Sequence, residues 1–141
     1  MGLTQAGHTE NDPQTEVPLL VLAACPVDNR PAGAPRLSGR LRIKVLPGSM
    51  AYDIYGRNKV DEAFACNYEL NPVYRDDLEL GGVRVSWVST DGGVRIIELP
   101  GPSFFLATGF LPQLNSTEGK PHPLLVAYLR AAVQFQSGHN K

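Results

Sequence analysis

Only two cysteines, Cys25 and Cys66, occur in 141 residues. Two cysteines are too few for a disulfide framework, and they are expected to be free thiols in a reducing compartment. Charge of one sign is also missing. Thirteen basic residues stand against 14 acidic ones, for a net charge of −1. That balance leaves no electrostatic footprint for nucleic acid or an anionic membrane surface. No apolar run reaches the length of a membrane span. The N-terminal MGLTQAGHTENDPQTE has neither the basic start nor the apolar stretch of a secretory signal, and the expected location is the cytoplasm. No His, Cys, Asp or Glu cluster has zinc spacing, so no metal and no cofactor are expected.

What remains is an ordinary globular composition, 43% hydrophobic, at a length that suits one domain with a real core. Residues 1–17 are polar, carry Asp12-Pro13, and read as a loop. PLLVLAAC (18–25) is a continuous apolar run, the pattern of a strand buried on both faces. PVDNRPAGAPRLSG (26–39) is a long Pro/Gly/Arg loop. RLRIKVL (40–46) alternates as a half-buried strand does. Ser49 is placed to cap a short helix, MAYDIY, that Gly56 closes. VDEAFACNYELN (60–71) is ambiguous, helical by its first half and strand-like by its aromatics. Asn71-Pro72 opens a further helix that runs to Gly81-Gly82. VRVSWV (83–88) and VRIIEL (94–99), joined by STDGG, form a β-hairpin. SFFLATGF (103–110) is a strand. HPLLVAYLRAAVQFQ (122–136) places Leu125, Tyr128, Leu129, Ala132 and Val133 on one stripe of an amphipathic helix. Residues 137–141 are a frayed tail. The sum is a single α/β domain over residues 1–141.

Several segments together carry a family resemblance: AGHTENDPQTEVPLLVL, KVLPGSMAYDIYG, CNYELNPVYRDDLELGGVRVSWVSTDGGVRIIELP, FFLATGFLPQL and GKPHPLLVAYLRAA. In this order they resemble the C-terminal half of the class I glutamine amidotransferase domain of CTP synthases, enzymes of pyrimidine nucleotide biosynthesis. CNYELN, FLPQL and the AAC at 23–25 resemble more closely a group described as CTP synthase C-terminal region-related (seleno)proteins. The resemblance implies part of a flavodoxin-like, three-layer fold with a β-hairpin and a C-terminal helix.

It also implies a site. A class I glutaminase uses a thiolate on a strained turn, a histidine base and an orienting carboxylate. The family carries its nucleophile in a Gly-x-Cys-x-Gly context upstream of the matched segments, and this sequence has no such motif. Where the family has the histidine and glutamate of FHPE, this chain has Leu111 and Gln113. Leucine cannot accept a proton, and glutamine carries no charge. Glu10 matches a glutamate that contacts the substrate amino group. Asn67, before Tyr68, replaces an arginine that holds the substrate carboxylate, a neutral amide in place of a charged fork. The implied ligand is a small amide or amino-acid-like molecule.

Cys25 ends the apolar strand, the end at which open α/β sheets gather ligands. In some members of the related group a selenocysteine stands near this place. One reading is a thiol site of Cys25 and Cys66, with His8 and Glu10 on the flanking loop; the other is that both thiols are small core residues. His8 reads as either a site residue or a solvated loop residue, His122 as a helix-start residue, and Arg30, Arg36 and Arg40 as either a phosphate contact or, the more usual case, a solvated surface. Three functions stay open. One is a glutamine amidotransferase-related protein without its triad, not a glutaminase on its own. Another is a thiol-dependent isomerase, hydrolase or redox enzyme. The third is a non-catalytic module whose exposed strand edge calls for a homo-oligomer or a partner chain that completes the sheet.

Overall fold

A computed structural model describes residues 3–23, 38–89, 93–101 and 104–139. Its strands form two sheets. The smaller contains β1 (Ala6–His8), β2 (Val17–Leu22) and β5 (Tyr68–Leu70), with β2 in the middle, parallel to β1 and antiparallel to β5. The larger contains β3 (Ser38–Val45), β4 (Lys59–Ala65), β6 (Arg84–Ser89), β7 (Val94–Glu98) and β8 (Leu106–Thr108), in the antiparallel order β4-β3-β6-β7-β8. Three helices, α1 (Met50–Tyr55), α2 (Arg75–Leu80) and α3 (Pro123–His139), complete the described fold.

The core follows from the strand period of two. Along β3, Leu41, Ile43 and Val45 face inward while Arg40, Arg42 and Lys44 face water. Val60 and Phe64 of β4, Trp87 of β6 and Ile96 of β7 line the same side, joined by Phe110, Ala51 of α1 and Leu124 of α3. Trp87 is wholly buried, with its ring centroid 6.0 Å from that of Phe110. The helix α1 forms where the sequence places it. Ser49 Oγ accepts the Tyr52 N–H at 3.0 Å, and Gly56 ends the helix at φ +63°, a conformation that glycine adopts without cost. The buried Glu98 accepts N–H groups of Met50 and Ala51 at 3.1 and 3.3 Å, satisfying two donors the helix start leaves open. An ion pair between Arg95 on β7 and Glu69 on β5, 2.9 Å long and nearly buried, ties the two sheets together.

Several expectations are corrected. The first 17 residues are not all loop: Ala6–His8 pairs with β2. β2 stops at Leu22 and is half-buried, not enclosed on both faces, and Leu22 is 66% exposed. The ambiguous segment 60–71 is two strands, β4 and β5, because alternate residues of KVDEAFA face the core. Asn71 does cap the next helix, its Oδ1 accepting the Val73 N–H at 3.1 Å, but the first turn is 3₁₀, Pro72–Tyr74, before α2. The strand expected over 103–110 is only Leu106–Thr108. Instead of fraying at 137, α3 continues to His139. Its apolar stripe does not enter the core: Leu125, Tyr128, Leu129 and Val133 are 36–62% exposed, and Leu124 enters instead.

Candidate functional site

The smaller sheet and its flanking turns bring five of the expected site residues into one region, His8, Glu10, Cys66, Asn67 and Tyr68. His8 at the end of β1 lies against Tyr68 at the start of β5, with ring centroids 4.5 Å apart and planes tilted by 56°. His8 is therefore half-buried on a strand, not solvated in a loop. Its Nδ1 accepts the Glu10 N–H at 3.1 Å, so that nitrogen carries no proton in this arrangement. Asn67 is fixed in the adjoining turn, its carbonyl accepting the Ala23 N–H at 2.8 Å. Cys66 is exposed, and its Sγ accepts the Tyr68 N–H at 3.4 Å. It is thus not the core thiol of the structural reading. Cys25, the other expected thiol, lies outside the described residues, as do Arg30 and Arg36. Glu10 is exposed two residues past His8, and Asn67 directly precedes Tyr68.

Leu111 and Gln113 lie elsewhere, just past β8 on the larger sheet. The Leu111 N–H donates to the Ala63 carbonyl of β4 at 2.9 Å, and its side chain is half-buried. Gln113 is exposed on the 3₁₀ turn Pro112–Asn115. A backbone bond therefore holds this tip on the sheet, and neither side chain at 111 or 113 is needed to make it.

The sequence reading missed the best-buried acid–base cluster. Glu62 and His122 are 3% and 4% exposed. Glu62 Oε1 accepts the Tyr55 hydroxyl at 2.7 Å and lies 2.9 Å from His122 Nε2, while Oε2 accepts Asn115 Nδ2 at 2.6 Å. His122 Nδ1 accepts the Leu124 N–H at 3.2 Å, so Nε2 carries the proton and donates to Glu62. Burial alone would raise the Glu62 pKa. The hydrogen bonds from His122, Tyr55 and Asn115 outweigh it and hold the carboxyl below its ordinary value. Burial, and then the bond to Glu62, push the Tyr55 hydroxyl far upward, so it stays protonated. Both carboxylate oxygens and both ring nitrogens are engaged from within. The cluster joins β4, α1, the 111–115 tip and the start of α3, and it fixes where that tip sits. Its signal was present in the sequence: Glu62 occupies an inward position between Val60 and Phe64, where a lone charge requires partners. Among the described residues no group of three or more His, Cys, Asp or Glu is placed to hold a metal ion. No described helix is long and apolar enough to cross a membrane.

A small mixed sheet, a larger antiparallel one, a short helix behind a Ser cap and a C-terminal helix make this an α/β domain with a glutaminase-type fold. The comparisons with known proteins agree. A solved structure described as the glutaminase domain of Trypanosoma brucei CTPS with bound acivicin superimposes with a TM-score of 0.84 at 27% identity, covering 94% of this chain and 52% of that one. CTP synthase of Saccharolobus solfataricus is 37% identical over 135 residues, and that of Staphylococcus aureus 32% over 137. Each match takes in 96% of this chain. No protein-family model matches. The chain is therefore a relative of CTP synthases and has the fold of part of their glutaminase domain. It spans about a quarter of the length of the curated relatives it matches (25% and 26%).

Proposed function

We propose that this chain is a glutamine amidotransferase-derived module that does not hydrolyse glutamine by itself. The observation that carries the reading is the tip after β8. Leu111 is half-buried there and bonds to Ala63 through its backbone alone, and Gln113 is exposed. A glutaminase of this kind needs at that tip a base that can take the nucleophile's proton and a carboxylate to orient it. A hydrocarbon and a neutral amide supply neither. The buried histidine of the described fold is committed elsewhere, with His122 donating to Glu62 and capping α3. His8, Glu10, Asn67 and Tyr68 remain as a polar edge that fits a small amide or amino-acid-like ligand, bound without the charged fork of an arginine.

The test is intact-mass analysis after exposure to acivicin, the compound bound in the trypanosomal neighbour. The expected result is no adduct on the folded chain. A stoichiometric adduct that Cys25→Ser abolishes would refute the reading and install a relocated nucleophile. A second reading, thiol-dependent chemistry, is favoured by the exposure of Cys66. It requires a folded-state thiol that reacts faster with iodoacetamide than a free peptide thiol does. Labelling at or below the free rate for both cysteines removes it.

A further inference from the structure

Seven arginines lie among the described residues, and four of them are ion-paired: Arg42 with Asp61, Arg75 with Glu79, Arg84 with Glu98 and Arg95 with Glu69, at 2.9–3.5 Å. Of the three that form no ion pair among the described residues, Arg40 and Arg57 line one cleft, and Lys120 lines it with them. The cleft has a volume of about 230 Å³ and reaches down to the buried pair Glu62 and His122. The Arg40 guanidinium is oriented there but not neutralised. Its Nη1 donates to Asn115 Oδ1 at 3.3 Å and its Nη2 to the Asp61 carbonyl at 3.1 Å, both uncharged acceptors. Arg57 directly follows Gly56, which closes α1. Lys120 ends a turn held by two backbone bonds with Thr117, at 3.1 and 3.2 Å, and Pro121 follows it. Three cations thus converge from backbone positions that the fold fixes.

Two carboxylates line the same cleft. Asp61 is cancelled by Arg42, 3.1 Å away. Glu62 is buried, with its oxygens bound by Tyr55, Asn115 and His122. Against its single charge stand three cations, so the cleft carries an excess of positive charge. Cations gathered in a concave site focus that charge and draw in a counter-ion. The volume sets the class of ion. Pockets for drug-sized ligands run from about 300 to 1,000 Å³, and this cleft falls below that range while leaving ample room for a tetrahedral oxyanion. The geometry points to a binding site for a phosphate group, with the Arg40 fork on its oxygens and Arg57 and Lys120 as charges beside it. Of Arg30, Arg36 and Arg40, which the sequence offers as a phosphate contact, only Arg40 lies within the described residues. His122 takes no part, since both of its ring nitrogens are engaged within its own cluster. The ligand is phosphate, free or as the end group of a small monoester. None of the cleft residues belongs to the edge of His8, Glu10, Asn67 and Tyr68, so the site stands apart from the proposed function.

The test is titration of the purified chain with inorganic phosphate at constant ionic strength, balanced with chloride and followed by NMR of the backbone amides and arginine side chains. The expected result is a saturable shift at Arg40, Arg57 and Lys120 that chloride alone does not produce. Arg57→Gln and Lys120→Gln remove charges whose side chains make no hydrogen bond or ion pair among the described residues, so both variants should fold. Each should weaken phosphate binding about tenfold, the loss of one charged contact. Arg40→Lys keeps the charge but not the fork and should bind more weakly than the unmodified chain and more tightly than Arg40→Gln. Arg130→Gln, outside the cleft, should leave binding unchanged. Glycerol phosphate titrated in the same way separates the sources: tighter binding than inorganic phosphate assigns the site to a monoester end group, weaker binding to the free ion. No saturable shift, or a shift that chloride reproduces, overturns the proposal. So does phosphate binding that survives both Arg57→Gln and Lys120→Gln undiminished.

Discussion

Replacing His122 with alanine should be among the most damaging single changes to this fold. The imidazole donates to a buried carboxylate at 2.9 Å, and a hydrogen bond of that charged kind contributes about 1.5–3 kcal/mol. Its Nδ1 also accepts the Leu124 N–H at the first turn of α3, a capping contact worth about 1 kcal/mol. Removing one partner of a buried pair commonly costs about 3–5 kcal/mol, because the other is left unpaired. In a domain of this size that loss lowers Tm by roughly 10–15 °C. Urea unfolding followed by Trp87 fluorescence is the assay, since Trp87 is wholly buried in the same core as Leu124. A cycle with Glu62→Gln isolates the pair and should give a coupling of about 1–3 kcal/mol.

The pH dependence has a definite sign. Glu62 titrates lower in the folded chain than in the unfolded one, so between the two values the unfolded state binds more protons. Stability from this group is complete above the ordinary glutamate pKa of about 4.3 and is lost as pH falls through the lower folded value. Glu62→Gln should flatten that acid limb. A His122→Ala cost below about 1 kcal/mol, or a coupling lost in an error of about 0.5 kcal/mol, refutes the reasoning.

Other substitutions separate the remaining elements. Gly93→Ala places a Cβ 2.8 Å from Glu69 Oε2 and 3.0 Å from Arg95 Nη2. Shifting that nearly buried ion pair should cost about 1–3 kcal/mol by urea unfolding; a neutral result means the pair has room to move. Glu98→Ala removes the acceptor for two N–H groups of α1, and faster amide exchange at Met50 and Ala51, with a loss of about 1–3 kcal/mol, is expected. Leu124→Ala should cost about 2–5 kcal/mol. Leu129→Glu, on the same helix but in water, should stay within about 0.5 kcal/mol in the chain alone. Equal costs at 124 and 129 would show that the helix face is misassigned.

How much of this was legible in the sequence depended on whether the signal was local. Ser49 and Gly56 bracketed α1 because caps and left-handed termini depend only on adjacent residues. The hairpin of β6 and β7 was legible for the same reason, in its turn residues and alternation. β1 was not, since a three-residue strand pairs only with what the fold brings beside it, here β2. Periodicity found the apolar stripe of α3 but could not tell which side of the helix meets this chain. The stripe expected to be core is in water, and Leu124 at its margin is in the core. Of the candidate site residues, Glu10, Asn67 and Tyr68 came from family resemblance and His8 from its place on the loop beside the thiols, and the fold brings His8 against Tyr68. The Glu62–His122 contact, 60 residues apart in the chain, was not, although Glu62 sat visibly at an inward strand position.

The most direct test of the central claim is ammonia release from glutamine by the purified chain and by a Leu111→His, Gln113→Glu double variant. On the proposal that this chain does not hydrolyse glutamine by itself, the expected result is a rate no higher than that of buffer for both, because a histidine and a glutamate placed at the tip of β8 supply no nucleophile. Glutamine-dependent release by the unmodified chain, saturable in glutamine and abolished by Cys25→Ser, would contradict the claim and make this protein a glutaminase of different design.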